Sequence, residues 1–255
     1  ARLESFYFPL WSMVNDLLPD AANQSPGNNP AIQRLLSIPF LLTEDMYAVT
    51  INQSYVAPAA LKAKQVASLL PRLAIAAHQI VGFPKIARLI RHLDLGSVVS
   101  HISSMCATER IEDVIGVEQL ELRDLYAMFA DLDRHGNVEQ AVYQLLKNLP
   151  IWLSSRGLIK ATQALLHGNF TDPTGQVDLL EATVLTDAAK EFVSIKLGVP
   201  TQTIEAFVLN VLPRFFSDDG PLDAQKYARL ISELAGHPVL VNDENIRRLL
   251  GPLSI

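Results

Sequence analysis

Residues 115–155 read IGVEQLELRDLYAMFADLDRHGNVEQAVYQLLKNLPIWLSS, and this stretch decides the fold. Apolar residues recur at helical spacing on both sides of the polar cluster 133–137, which predicts two helices joined by a turn. Pro150 has no amide hydrogen to donate and therefore ends the second helix. The apolar residues that follow favour a buried strand, and the turn residues 154–157 favour a return strand. The stretch therefore predicts a helix pair that leads into a short β-hairpin.

The same order of signals appears twice more in the chain. Residues 197–243 begin with Leu-Gly-Val and place Pro238 where the first stretch has Pro150. Residues 8–51 carry the closing half of the pattern, with Pro39 before the apolar hairpin residues. In the later copy, Thr186 as N-cap and Gly198 as stop signal predict a helix over about 187–196. Further helices are predicted over about 202–212 and 222–235, and a short strand over 239–241.

This self-similarity predicts an α+β fold, mainly α-helical, made of repeated units of a helix pair and a short β-hairpin. The predicted organisation comprises the end of a first repeat unit at 1–57, a helical basic segment at 58–109, a second repeat unit at 110–185 and a third, truncated unit at 186–255. Adjacent units would stack through apolar faces that neither can bury alone. The residues expected to be architectural are Leu149, Pro150, Trp152, Gly198, Val199 and Pro238.

The charge of the chain is unevenly distributed. The net charge is −6, but no Asp or Glu lies between Met46 and Leu93. That acid-free stretch holds six basic residues, which are the candidate binding residues: Lys62, Lys64, Arg72, Lys85, Arg88 and Arg91. Within 85–93 the basic residues recur every third position, which predicts a cationic stripe on an amphipathic helix. Such a stripe suits nucleic acid, an acidic protein or an anionic lipid surface. The alternative, which we favour, is a solvated face whose charge is balanced by acids of another unit.

Catalytic, metal and cofactor motifs are not found. The chain has no nucleophile elbow, phosphate loop or dinucleotide fingerprint, and its six histidines form no His-x-x-x-His pair. Residues 131–136 resemble the start of a calcium loop, but Val142 stands where a bidentate Glu is needed, so we interpret them as a turn. The single cysteine, Cys106, forms no internal disulfide and suits the reducing cytoplasm. We therefore predict no catalytic residue, no metal site, no cofactor and no membrane span.

The ordered motifs Leu149-Pro150-Ile151-Trp152, Gly157 to Thr162 and Phe170-x-Asp172-Pro173 resemble the sacsin-type repeat. The similarity continues at 197–199, 212–213 and 237–239, covers most of 110–250, and returns in part over 1–60. This resemblance implies a segment of a large cytoplasmic chaperone-like scaffold, in which such repeats follow a GHKL-type ATPase domain. The Asp-x-Gly-x-Gly box of that ATPase is not in this sequence, and no catalytic residue is implied within it.

The function expected from repeat and resemblance together is that of a non-catalytic module for protein–protein interaction. Its expected partners are neighbouring repeats or other domains of the parent protein, a client protein, or an anionic partner. Two other functions remain open. One is binding of nucleic acid or an anionic surface through a basic helix spanning 62–91, and the other is an enzyme of unrecognised class.

Overall fold

The computed structural model describes residues 3–19, 30–59, 61–170, 172 and 177–210, with isolated positions between 225 and 244. The chain divides into two compact units, Ala1–Val142 and Tyr143–Ile255. The fold is mainly α-helical with short β-strands, as the sequence predicts. No helix in this part of the chain combines the length and the apolar character needed to cross a bilayer.

The first unit contains most of the described helices. It opens with a π-helical turn at Leu3–Tyr7 and also contains 3-10 turns at Ile51–Gln53 and His78–Gly82. Its helices are α1 (Phe8–Leu17), α2 (Pro30–Ser37), α3 (Ala63–Leu69), α4 (Pro84–Ala87), α5 (Leu95–Cys106), α6 (Ile111–Val114) and α7 (Gln119–His135). Its strands are β1 (Leu41–Leu42), β2 (Ala48–Val49), β3 (Tyr55–Val56) and β4 (Arg91–His92). Helix α8 (Gln140–Asn148) begins at the end of this unit.

A buried tryptophan anchors the first helix to the hairpin. Trp11 is completely buried, and its indole Nε1 donates a hydrogen bond to the carbonyl of Phe40 at 3.0 Å. Its ring meets that of Phe83 edge-on with 5.6 Å between centroids. Edge-to-face aromatic pairs add to the stabilisation that burial of the rings provides. The entry to the hairpin is therefore fixed by both apolar packing and a directed hydrogen bond.

Helix α7 is longer than the sequence pattern predicts. A capping box between Glu118 and Glu121 starts it. The predicted turn at 133–137 is partly wrong, because the helix continues to His135 and only Gly136 ends it. Residues 133–135 are compatible with a helical backbone, and His135 adds a bond from its ring Nδ1 to the carbonyl of Asp131 at 2.7 Å. The residues that resemble a calcium loop are thus part of a helix.

The second unit holds the hairpin β5 (Trp152–Ser154) and β6 (Gly157–Ile159), 3-10 turns at Ala161–Gln163 and Ala182–Val184, and helices α9 (Asp187–Ile195) and α10 (Ile204–Asn210). The predicted signals around α9 are confirmed: the Thr186 hydroxyl accepts the amide of Ala189 at 3.2 Å, and Gly198 has a left-handed φ of 62°. Of the predicted later elements, α10 is described to Asn210. Four positions of the helix predicted at 222–235 are described (225, 228, 232 and 235), and all four are helical, whereas Pro238 and the strand at 239–241 lie outside the described residues.

The two hairpins are closed in the same way. In the first, the Thr43 hydroxyl donates to the carbonyl of Tyr47 at 3.3 Å. In the second, the Ser154 hydroxyl donates to the carbonyl of Gly157 at 2.9 Å. Both hydroxyl residues also form an isolated antiparallel bridge to a later segment. Thr43 and Ser154 are therefore structurally equivalent.

The segments after the hairpins also correspond. The amide of Ala76 donates to Tyr55, and the amide of Leu180 donates to Leu165, each at 2.9 Å. A second, parallel connection follows one residue later: Val56 pairs with His92 in the first unit, and Leu166 pairs with Thr201 in the second. Each connection leads into a helix with a side-chain N-cap, Asp94 for α5 and Thr203 for α10. The repetition therefore extends beyond the hairpin to a second strand pairing and a capped helix.

The basic segment contains a clear difference from the prediction. Residues 85–93 do not form one amphipathic helix, so the basic helix over 62–91 is wrong. Helix α4 ends at Ala87, and Arg91–His92 form β4, which pairs in parallel with β3. Extended pairing with a distant strand outweighs the local helical periodicity here. The predicted unit boundaries at 57, 109 and 185 remain predictions.

Candidate functional site

The six predicted binding residues do not lie on one surface feature. Lys62 and Lys64 are exposed at the start of α3, beside a cavity of about 420 Å³ with mostly apolar walls. Arg88 is exposed on the turn after α4. The cationic stripe predicted from Lys85, Arg88 and Arg91 is not formed, because α4 ends at Ala87 and Arg91 lies in β4.

Lys85 has a structural role in the first unit. Its backbone amide donates to the side-chain oxygen of Asn15 at 2.9 Å, and its Nζ donates to the carbonyl of Leu18 at 2.8 Å. The side chain is half-buried. The ammonium group thus caps carbonyls at the end of α1, where a positive charge is favourable.

Arg72 and Arg91 are the two predicted residues that the structure brings together. Both line an open cleft of about 1040 Å³ in the first unit. The cleft lies between the first hairpin, the N-terminal part of α5 and the loop at 136–139. Its polar lining is contributed by Tyr47, Gln53, Tyr55, Asp94, Ser97, Ser100, His101, Ser104, Asn137 and Glu139. We take this cleft, the Arg72–Arg91 cleft, as the candidate functional site.

The floor of the cleft is a polar stripe on α5. Ser97, Ser100 and Ser104 follow one another at the i, i+3 and i+7 positions of this helix, so they share one face. The apolar residues of α5, including Val98 and Ile102, are completely buried on another face. The sequence analysis missed these serines, although their helical spacing is a signal that could identify them.

The N-terminus of α5 is already occupied by its own cap. The Asp94 carboxylate accepts the backbone amide of Ser97 at 2.7 Å. This bond satisfies one of the free amides at the helix end and places a negative charge against the positive end of the helix dipole. The lining of the cleft thus carries two carboxylates, Asp94 and Glu139, and two cations, Arg72 and Arg91.

The two arginines are held differently. Arg72 has a left-handed φ of 70°, and its guanidinium forms an ion pair with Glu109. Arg91 lies on β4 directly opposite Tyr55 in the parallel register, and its side chain is exposed. It makes no ion pair with any residue that the structure describes. Arg91 is thus the cation of this cleft that is open to a ligand.

Two other titratable groups of the cleft are neutral at pH 7. Burial lowers the pKa of His101, against the opposing effect of its hydrogen bond to the carbonyl of Pro71. Burial also raises the pKa of Tyr47, as does the nearby charge of Asp45, while a hydrogen bond to Thr43 acts in the opposite direction. The imidazole and the phenol therefore offer hydrogen bonds rather than charge to a ligand.

The arrangement is suited to recognition. The Ser104 hydroxyl donates to the backbone carbonyl of His101 at 2.8 Å, so its proton points to a helix carbonyl and away from a base. The described residues include no group of three or more metal-binding side chains. Guanidinium, hydroxyl and phenol groups spread over an open surface can bind carboxylates and peptide groups of an extended ligand.

Cys106 lies at the end of α5 and is partly buried. Burial raises the pKa of its thiol, and a weaker backbone hydrogen bond acts in the opposite direction. A thiol of this kind is a poor nucleophile, since the thiolate is the reactive form.

Comparison of the chain with protein-family models, with curated proteins and with solved structures finds no match.

Proposed function

We propose that the protein is a non-catalytic interaction module of a larger repeat-built scaffold and that it binds an acidic polypeptide segment in the Arg72–Arg91 cleft. The observation that carries this proposal is the cleft itself, with an exposed arginine beside a row of hydroxyl groups. At about 1040 Å³ it lies at the upper end of small-molecule pockets, which are typically about 300–1,000 Å³. An open site of this size fits an extended segment better than a compact metabolite.

The repeated architecture supports the scaffold part of the proposal. Two hairpins with equivalent hydroxyl closures and equivalent later pairings are expected of a protein assembled from one recurring module. The resemblance to the sacsin-type repeat is consistent with this arrangement and remains part of the proposal. The proposal includes a chaperone-like parent protein in the cytoplasm, in which any ATPase domain would lie outside this chain.

Binding to a labelled peptide tests the cleft directly. The probe is a fluorescent twelve-residue peptide of alternating Glu and Ser, and a Lys/Ser peptide of equal length serves as its counterpart. We expect Arg91→Glu to weaken binding of the acidic peptide by about 10–100-fold, since charge-assisted hydrogen bonds contribute roughly 1.5–3 kcal/mol. The matched control is Arg88→Glu, which makes the same charge change outside the cleft and should alter affinity less than twofold.

Equal weakening by the two reversals would contradict the cleft proposal, because only a long-range effect of net charge treats both sites alike. Absence of any preference for the acidic over the basic peptide would contradict it as well. Anisotropy titrations at two salt concentrations separate these cases, since interactions of exposed charges are screened by salt.

The second candidate function is binding to nucleic acid or another anionic surface. It is favoured by Arg88 and Arg91, which are both exposed and lie three positions apart where β4 begins. A steep loss of duplex DNA binding with salt, with equal contributions from both arginines, would support this candidate. Loss confined to Arg91 would instead support the cleft.

A further inference from the structure

Helix α1 leaves one apolar face uncovered. Leu17 is 78% exposed and Met13 is 54% exposed, while Leu10, on the same side, is half-buried. These positions are i, i+3 and i+7, so they form one continuous stripe. The adjoining side of the helix carries Trp11 and Val14, which are buried in the core of the first unit, and Leu10 packs against the same core. Helix α1 is thus packed on one side only.

Helix α7 carries the same stripe. Residues 10–17 read LWSMVNDL and residues 125–132 read LYAMFADL. The two segments share Leu, Met, Asp and Leu at equal spacing, and they place an aromatic residue in the same position. Both helices are followed by a second helix, a proline and a hairpin. The two segments are therefore copies of one element of the repeat.

The matching stripe in α7 is buried. Leu125, Met128 and Leu132 are 1%, 2% and 3% exposed, whereas Met13 and Leu17, the counterparts of the last two, are largely exposed and Leu10 is half-buried. Tyr126 and Phe129, the counterparts of Trp11 and Val14, are buried as well. Helix α7 is thus buried along both faces, whereas α1 is buried along only one of the two corresponding faces.

Helices α3 and α5 both pack on α7 within the first unit. The Gln65 side chain of α3 donates to the carboxylate of Asp124 at 2.8 Å, which places α3 beside the helical neighbours of Asp124, including Met128. Helix α5 is itself lined with completely buried apolar residues, Val98 and Ile102 among them. The side of α7 that carries Met128 is therefore next to α3 in this molecule.

We propose that Met13 and Leu17 dock onto the α3–α5 surface of another module of this type, in the way that α7, which carries Met128 and Leu132 at the same positions, packs on α3 and α5 within the chain. This inference rests on the proposed function as a repeat module and names the partner of one of its surfaces. An anionic lipid surface is a less suitable occupant, because α1 contains no Lys or Arg and contributes the negative charge of Asp16. The partner is thus a protein surface with the apolar character of α3 and α5.

A tandem chain tests the docking with a defined partner. A second copy of residues 1–117 is fused to the N-terminal side of Leu3, so that its α3–α5 surface precedes α1 at the same spacing as it precedes α7 in the natural chain. In the control tandem, residues 118–134, which contain most of α7, replace residues 3–19 at the junction. Hydrogen exchange of α1 and urea unfolding are then measured in the single chain and in both tandems.

In the single chain we expect neither Leu17→Glu nor Ser12→Glu to change the free energy of unfolding, because both side chains are exposed there. In the tandem we expect Leu17→Glu at the junction to raise the unfolding equilibrium constant by about 10–100-fold, as for a charge placed in an apolar interface. Ser12→Glu, on another side of the same helix, should stay without effect. The amides of the junction helix should also exchange at least tenfold more slowly than those of α1 in the single chain.

Equal effects of the two substitutions in the tandem, or unchanged exchange in α1, would overturn the proposal. The proposal would also be overturned if the added copy folds in the control tandem, which has α7 at the junction, but does not fold in the tandem that has α1 there. The single-chain peptide titrations of the Arg72–Arg91 cleft are independent of these results, so failure of the docking leaves the proposed ligand site to its own test. Concentration-dependent dimers of the single chain that Leu17→Glu abolishes would also overturn it, since the face would then pair with itself.

Discussion

Replacement of Gly168 by alanine should separate the segment around Leu166 from the segment around Thr201. The pairing of these two segments is one of the features that the second module shares with the first. A Cβ atom at Gly168 would lie 1.8 Å from the backbone oxygen of Gln202 and 3.0 Å from a methyl group of Thr201. A backbone oxygen cannot rotate away, so one of the segments has to move. The two are joined by bonds between Leu166 and Pro200 at 2.9 Å and between Gln202 and Leu166 at 2.8 Å.

The expected cost follows from this geometry. Ordinary contact of a Cβ begins near 3.4 Å, so the segments must separate by more than an ångström, and hydrogen bonds near 2.9 Å do not survive that shift. Overpacking of an ordered site costs about 1–3 kcal/mol, and each lost hydrogen bond adds about 0.5–1.5 kcal/mol. With two such bonds lost, we expect Gly168→Ala to lower the free energy of unfolding by about 2–6 kcal/mol.

Urea unfolding, followed by circular dichroism and by tryptophan fluorescence, measures this loss. The matched control is Gly82→Ala, which makes the same chemical change at a site with no atom within 4 Å of the new Cβ. We expect the control to change the free energy by less than about 0.5 kcal/mol. Equal effects at the two glycines would refute the pairing of Leu166 with Thr201, and with it the equivalence of the two modules.

Three further predictions concern α5 and its counterpart. Loss of either helix cap, Asp94→Ala or Thr203→Ala, should lower the free energy of unfolding by about 1 kcal/mol in urea titrations, because each side chain accepts a backbone amide of its helix. Burial lowers the pKa of His101, so protonation of this side chain favours the unfolded chain. The stability that the neutral imidazole contributes should be complete above about pH 6.5 and should be lost as the pH falls through the folded pKa. The melting temperature of His101→Gln should therefore depend less on pH between about pH 5 and 7.5 than that of the natural chain. Because burial raises the pKa of Cys106, a disulfide reagent should react with it more slowly in the native chain than in urea, and equal rates would contradict its burial.

The elements that could be predicted from the sequence are those fixed by local signals. Pro150 ends a helix, Gly157 adopts a positive φ of 105° in the hairpin turn, and Thr186 caps α9 through its own hydroxyl. Each of these effects acts within a few residues, so a local pattern is sufficient to identify it. The order of helix pair and hairpin follows from such signals alone.

The elements that could not be predicted depend on distant partners. Residues 85–93 have helical periodicity, yet Arg91 lies in a strand because Tyr55, far earlier in the chain, pairs with it. The same pairing decides which basic residues meet. It brings Arg91 to the cleft that Arg72 also lines, whereas the Lys85 ammonium donates to the carbonyl of Leu18 at the end of α1. The sequence alone could not show which of the six basic residues lie together.

The two modules differ where the cleft is formed. In the first, residues 57–73 connect β3 to the next extended segment, and this connection includes α3 and Arg72. In the second, the equivalent connection runs from Leu166 to Asp178, and its ends are tied by the same backbone pairing. The pairings maintain the module in both places, while the longer connection supplies Arg72 of the cleft and α3, one of the helices that pack on α7. The same segment therefore contributes to both proposed sites, the ligand cleft and the docking surface, so changes in it should affect ligand binding and docking together.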